Sequence, residues 1–255
     1  MNSAPPSFTG PFPSCRDIPG LRGGLLSRLR VAAFEPRSLV NGPGARAVLW
    51  VQGCGRRCPG CFNPEFLPIE GGLNVTTDEV ARWIEEAGRS ENGPIDGVTF
   101  SGGEPFDQAL ALAVVARSVR ERGLGVLVFT GHPWADLKSG SGPGWTELVA
   151  ASDLLVAGPY QRESAGAHPL LASGNQELIH VTSRYRNCVG TGVRRRVEFR
   201  IGADGDARVS GFPSGQLRRA NAPEAGPIAA YPQAVGYQKL VENWQCHFQN
   251  ATHDD

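Results

Sequence analysis

Between Arg46 and Ala157, short unbroken apolar runs alternate with segments whose apolar residues recur at helical spacing. This alternation narrows the fold more than any other feature of the chain, because it forces a parallel sheet with helical crossovers. The runs Arg46 to Val51, Gly97 to Phe100, Val126 to Thr130 and Leu154 to Ala157 read as strands. Helices are expected where Thr76 and Glu79 form a capping-box pattern ahead of Val80, Trp83, Ile84 and Ala87, then over roughly Gln108 to Glu121, and between Trp145 and Ala150. The fold class is therefore α/β. Right-handed crossovers put the carboxyl ends of the strands on one side, where ligands collect.

Outside this block the signals are shorter. Leu29 to Phe34 reads as a strand joined to Arg46 to Val51 through the turn chemistry of Asn41-Gly42-Pro43-Gly44. Glu177 to Val181 adds a further strand. Val197 to Ile201 and Ala207 to Ser210 flank Ala203-Asp204-Gly205-Asp206 as a β-hairpin would. A chain of 255 residues with 40% hydrophobic content can bury one substantial core, so one main domain with appendages is expected. The boundaries are an irregular, Pro- and Gly-rich arm over residues 1–28, a core domain over 29–186, and an appendage with hairpin and tail over 187–255.

The formal net charge is zero, which gives no global field toward nucleic acid or an anionic membrane. The run Arg194-Arg195-Arg196 lacks interleaved aromatics and reads as a solvated edge. Met1 to Ser14 lacks the pattern of a signal peptide, and no apolar run approaches a membrane span, so a soluble cytoplasmic protein is expected.

Three of the six cysteines, Cys54, Cys58 and Cys61, lie within eight residues directly after a strand. They are too crowded for an ordinary disulfide framework, and the spacing lets them share one soft metal centre in a reducing compartment. Three thiolates on a 4Fe-4S cube leave one iron without protein sulfur. A zinc site closed by protein wants a fourth ligand, for which the only histidine candidates, His132, His168 and His180, are distant, and unliganded thiols are the remaining reading. Cys15, Cys188, Cys246 and the neighbouring His247 show no spacing of a second centre. Arg56 and Arg57 fall between the candidate ligands, where surface solvation is the plain reading and tuning of a cluster by charge the alternative.

Ser101-Gly102-Gly103-Glu104 follows a strand, with two glycines that permit close backbone approach and a carboxylate acceptor; alone it is a tight turn. Thr130 stands at the carboxyl end of a strand, suited to a ribose or carboxylate, or simply to capping. Asn175 and Gln176 form a polar pair that by itself marks a turn.

Together these segments resemble the radical S-adenosylmethionine superfamily. Asn41 to Arg46, Val51-Gln52-Gly53-Cys54, and Cys61 to Glu65 are similar to the activating enzymes of glycyl-radical enzymes, those of anaerobic ribonucleotide reductase above all. The likeness continues through Asp96 to Pro105, Phe129 to His132, Leu155 to Tyr160 and Gly174-Asn175-Gln176, covering about Leu39 to Val181. It implies a partial (β/α) barrel of the radical SAM type, with the hairpin as a C-terminal appendage. It implies a 4Fe-4S cluster on Cys54, Cys58 and Cys61, and S-adenosylmethionine held by Ser101, Gly102, Gly103 and Glu104 at its ammonium group. Gly60 before the third cysteine, Phe62 just after it, Thr130 and Asn175 join the expected cofactor site.

The resemblance further implies reductive cleavage of S-adenosylmethionine to methionine and a 5′-deoxyadenosyl radical, which takes a hydrogen from a glycine α-carbon of a partner enzyme. The partners would be a glycyl-radical enzyme and an electron donor such as flavodoxin. No residue of this chain is singled out as catalytic in its own right. Two other functions fit the same residues: a radical S-adenosylmethionine enzyme acting on a peptide or small metabolite, with the hairpin capping its pocket, and a non-catalytic iron-sulfur or zinc module.

Overall fold

A computed structural model describes residues 28–164, 168–188, 197–201 and 207–211. In chain order the elements are β1 (Arg28–Ser38), β2 (Arg46–Val51), β3 (Leu73–Thr76), α1 (Thr77–Arg89), β4 (Gly97–Gly102), α2 (Ala109–Glu121) and β5 (Gly125–Thr130). They continue with α3 (Trp134–Ser139), α4 (Trp145–Ala150), β6 (Leu154–Ala157), β7 (Glu177–His180), β8 (Val197–Ile201) and β9 (Ala207–Gly211).

Seven strands form one open sheet in the order β3-β1-β2-β4-β5-β6-β7. Its centre, β2-β4-β5-β6, is parallel, as the alternation requires, while β1, β3 and β7 extend it antiparallel on the two sides. The sheet does not close into a barrel, since β3 and β7 are not paired with each other. β8 and β9 pair antiparallel in a separate two-stranded sheet. Of the arm expected over 1–28, Arg28 belongs to β1 instead, and residues 1–27 lie outside the described residues, as do the connection expected at 203–206, the tail beyond 211, Arg194 to Arg196, Cys15, Cys246 and His247.

Residues alternate across each strand, so neighbours in sequence enter different layers. Val126 and Val128 of β5 and Leu155 of β6 pack against the helices with Val80, Ile84, Leu112, Val115 and Val119. Leu127, Leu154 and Val156 face the other way, where Leu170 and Tyr185 cover them. Apolar residues on both faces explain why these strands read as unbroken runs.

α1 starts where the sequence places it. The Thr76 hydroxyl accepts from the Glu79 N–H, and the Glu79 carboxylate accepts from the Thr76 N–H (2.7 Å), a complete capping box. Val80 and Ile84 then lie wholly inside, each burial contributing roughly 1.5–3 kcal/mol. Two elements were not signalled by periodicity: β3 has only four residues, and α3 is a short helix ended by Gly140 in the left-handed conformation. Among the described residues no helix is long and apolar enough to cross a membrane.

Candidate functional site

The parallel strands deliver their carboxyl ends to one side, and the segments singled out in the sequence gather there. The chain leaves β2 through Gln52 and Gly53, and the loop is tied down at once: the Gly53 N–H donates to Phe66 O (2.9 Å) and the Cys54 N–H to Leu67 O (3.0 Å). The turn after β4 is stitched to the same place, with the Gly103 N–H on Val51 O (2.8 Å) and the Glu104 N–H on Gly53 O (2.9 Å). A side chain on Gly103 would run into the Gly53 backbone. The absence of a side chain at Gly103 lets the cysteine loop lie against this turn, and at Gly102 it lets the turn lie against the end of β2.

Cys54 is buried, Cys58 and Cys61 are half-buried, and all three are free thiols lining one cleft. Phe62, Ser101, Gly102, Gly103, Glu104 and Thr130 line the same cleft. Burial pushes the Cys54 and Cys61 thiols up, so a metal that binds them must displace protons. Among the described residues no three His, Cys, Asp or Glu side chains are gathered closely enough to hold a single metal ion. A 4Fe-4S cube spreads its thiolates over separate irons, so three of them suffice. A donor set of three thiols around one cleft therefore fits a cluster.

Glu104 is only 2% exposed. Its carboxylate accepts from the Thr130 hydroxyl (2.7 Å), the Phe106 N–H (3.0 Å) and the Gly131 N–H (2.9 Å). Burial drives its pKa above the ordinary glutamate value, while these donors and Arg56 pull in the other direction. A carboxylate has about four lone-pair sites, so roughly one is left for a ligand donor.

Thr130 sits in the cleft, but its hydroxyl proton goes to Glu104 and its oxygen also accepts from the His132 N–H (3.1 Å). Phe62 stacks edge-on against Tyr160 with ring centres 5.1 Å apart. Gly60 and Asn175 are not brought into the lining. Gly60 lies exposed beside Arg162, and Asn175 donates to Pro159 O (2.7 Å) on the outside of its loop. Gln176, the next residue, lines the cleft instead and bonds Gly158 O through its amide (2.9 Å). Asn41 and Tyr160 also line it, and both belong to segments that carried the family resemblance, so the signal for them was present.

Arg56 departs from its sequence reading. It is not a solvated surface arginine: its side chain turns into the cleft, 27% exposed, with Nε 3.7 Å from Glu104 Oε2. Arg57 beside it is exposed and adopts a left-handed backbone, φ 47°.

Residues 40–179 match the family described as 4Fe-4S single cluster domain. The chain is 32% identical over 128 residues to the pyruvate formate-lyase-activating enzyme of Clostridium pasteurianum, a match covering 50% of this chain and 50% of that protein. It is 26% identical over 156 residues to the anaerobic ribonucleoside-triphosphate reductase-activating protein of Salmonella typhimurium, covering 60% of this chain and 98% of that one. The protein of the same name from Enterobacteria phage T4 is 28% identical over 147 residues, covering 56% and 88%. The match thus spans half the length of the clostridial relative and nearly all of the Salmonella one.

Proposed function

Because the chain belongs to the 4Fe-4S single cluster domain family and its relatives are named for activating other enzymes, we propose that it too activates a partner enzyme, by installing a glycyl radical. It is a radical S-adenosylmethionine enzyme of the activating type, and its cofactors are one 4Fe-4S cluster and S-adenosylmethionine. The observation that carries the reading is the shared cleft: three free thiols, the Ser101 to Glu104 turn and the end of β5 all face it.

Cys54, Cys58 and Cys61 would hold the cluster. The backbone of Ser101 to Gly103 and the free lone pair of Glu104 would receive the ammonium group of S-adenosylmethionine. Thr130 has one lone pair left for a ligand donor, and Phe62 would stand beside the adenine, while Gly60 and Asn175 lie outside the lining. Bound in this cleft, the cluster and cofactor would supply the chemistry for reductive cleavage of S-adenosylmethionine, with the electron coming from an external donor. The chain's own contribution is to orient and to exclude water, for which the Phe62–Tyr160 pair forms an apolar rim. We read residues 29–186 as a radical SAM core shaped as a partial barrel, working in a reducing cytoplasm with an electron donor of the flavodoxin kind.

A second reading, action on a peptide or small metabolite, is favoured by one observation. Gly211, at the end of β9, lines the cleft beside Asn41, and Asn41 bonds Ser210 (2.7 Å), so the hairpin contributes a wall of its own. It lies beyond the residues 40–179 that match the family.

Anaerobic reconstitution with iron and sulfide, then dithionite and S-adenosylmethionine, is expected to release 5′-deoxyadenosine detectable by chromatography. Cys58→Ala should lose both the brown chromophore and the product; a full cluster in that variant would overturn the ligand assignment. Adding pyruvate formate-lyase or anaerobic ribonucleotide reductase should give a glycyl-radical signal by electron paramagnetic resonance. Cleavage without that signal on either protein favours the second reading.

A further inference from the structure

Arg56 lies in the middle of the cysteine loop, two residues from Cys54 and two from Cys58. Nothing in the spacing requires its side chain to turn inward, yet three features of the surrounding structure form a seat for it. One is Glu104, whose Oε2 lies 3.7 Å from the guanidinium Nε at the buried floor of the cleft. The second is His132, whose Nδ1 receives the guanidinium Nη2 at 2.5 Å. Burial and the adjacent positive charge hold the His132 pKa down to about 4, so the ring is neutral and its Nδ1 accepts. The ring is itself fixed edge-on to Trp145, with centres 4.3 Å apart. The third is Gly131, where a Cβ would stand 2.5 Å from Arg56 Cδ and 3.1 Å from its Nε. Only the missing side chain leaves a slot for the arginine stem.

We infer that Arg56 is a positioning residue for the iron-sulfur centre: it fastens the cysteine loop to the ends of β4 and β5 and holds a permanent positive charge beside the cluster. The inference rests on the cluster reading above. Arginine suits the task because its forked guanidinium can meet two neighbours at once, here bonding the imidazole through Nη2 while Nε stands in ion-pair range of the carboxylate. A fixed cation near the cluster stabilises its reduced, more negative form, which raises the reduction potential. The same charge meets the carboxylate that is to receive the cofactor's ammonium. Arg56 therefore limits how strongly Glu104 can attract a second cation, and couples cofactor binding to the state of the loop.

The test uses the reconstituted full chain and reads the midpoint potential of the cluster by electron paramagnetic resonance during anaerobic redox titration. Arg56→Gln is expected to shift the potential to a more negative value, and Arg56→Lys to bring it back toward wild type by restoring the charge. Gly131→Ala leaves Arg56 chemically intact but fills its slot, and it should shift the potential in the same direction as Arg56→Gln. Gly131 has no left-handed backbone, so alanine is tolerated there for conformation. Loss of cluster in Arg56→Gln with recovery in Arg56→Lys also supports the seat. Wild-type potentials in both Arg56→Gln and Gly131→Ala would overturn it. Failure of the wild-type chain to take up any cluster would instead remove the functional reading on which it rests.

Discussion

Glu104 receives hydrogen bonds from three places in the chain, the Phe106 N–H just after it and the Thr130 hydroxyl and Gly131 N–H at the end of β5. One carboxylate thus joins the turn after β4 to the end of β5 and reaches Arg56 of the cysteine loop. Replacing it with glutamine keeps the volume but removes the charge and turns an NH₂ group toward one of these donors. Hydrogen bonds to a charged group are worth about 1.5–3 kcal/mol, so Glu104→Gln should weaken S-adenosylmethionine binding about tenfold or more while the cluster still assembles. Isothermal titration of the reconstituted protein checks this, and unchanged affinity would remove Glu104 from the cofactor site. The residue was legible in the sequence as an acceptor after a glycine turn. Its three internal partners were not, because two of them come from a strand end 26 and 27 residues away.

At the scale of elements, α1 is where local chemistry is most self-sufficient. Its start depends on Thr76 and Glu79 alone, and the Thr76 N–H and hydroxyl hold the Glu79 carboxyl below its ordinary range. A depressed carboxyl pKa stabilises the fold above the unfolded value, near 4.5, and that stabilisation is lost as pH falls through the lower folded value. Glu79→Gln, which removes the titrating carboxyl while the Thr76 N–H and hydroxyl stay in place, should therefore cost about 1 kcal/mol at neutral pH and flatten the acid limb of the stability profile, as measured by urea melts between pH 3 and 7 (about the range that spans a carboxylate titration). An unaltered acid limb would show that the box does not carry this pH dependence. By contrast, β3 has four residues and forms because β1 offers it an edge, with Val31 to Arg28 pairing Leu73 to Thr76. No pattern of that length could announce it.

At the scale of the whole molecule, Arg46 anchors the end of the sheet opposite the cleft. It is fully buried at the start of β2, and its five donors are all used: Nε on Thr99 Oγ1, Nη1 on Pro43 O and the Tyr185 hydroxyl, Nη2 on Val98 O and Gly125 O. The guanidinium also stands over the Tyr185 ring at 5.3 Å. Three strands, the turn before β2 and the segment after β7 meet on one side chain. Arg46→Met would leave several buried carbonyls without donors and should cost about 3 kcal/mol or more, read from the urea midpoint with the slope unchanged. A loss below about 1 kcal/mol would mean that water replaces the guanidinium there.

The sequence alone determined the alternating α/β order, the capped start of α1 and the loop carrying Cys54, Cys58 and Cys61, because each is written in residues close together in the chain. It also marked Asn41, Ser101 to Glu104, Thr130 and Tyr160 through the segments that resemble a known family. Only the tertiary structure decided that the sheet stays open, that Gln176 and not Asn175 meets the cleft, and that Arg56 turns inward onto Glu104 and His132. Those outcomes depend on contacts between residues tens of positions apart, and a side chain's direction is set by the slot it finds, here the space left by Gly131, which local pattern does not encode.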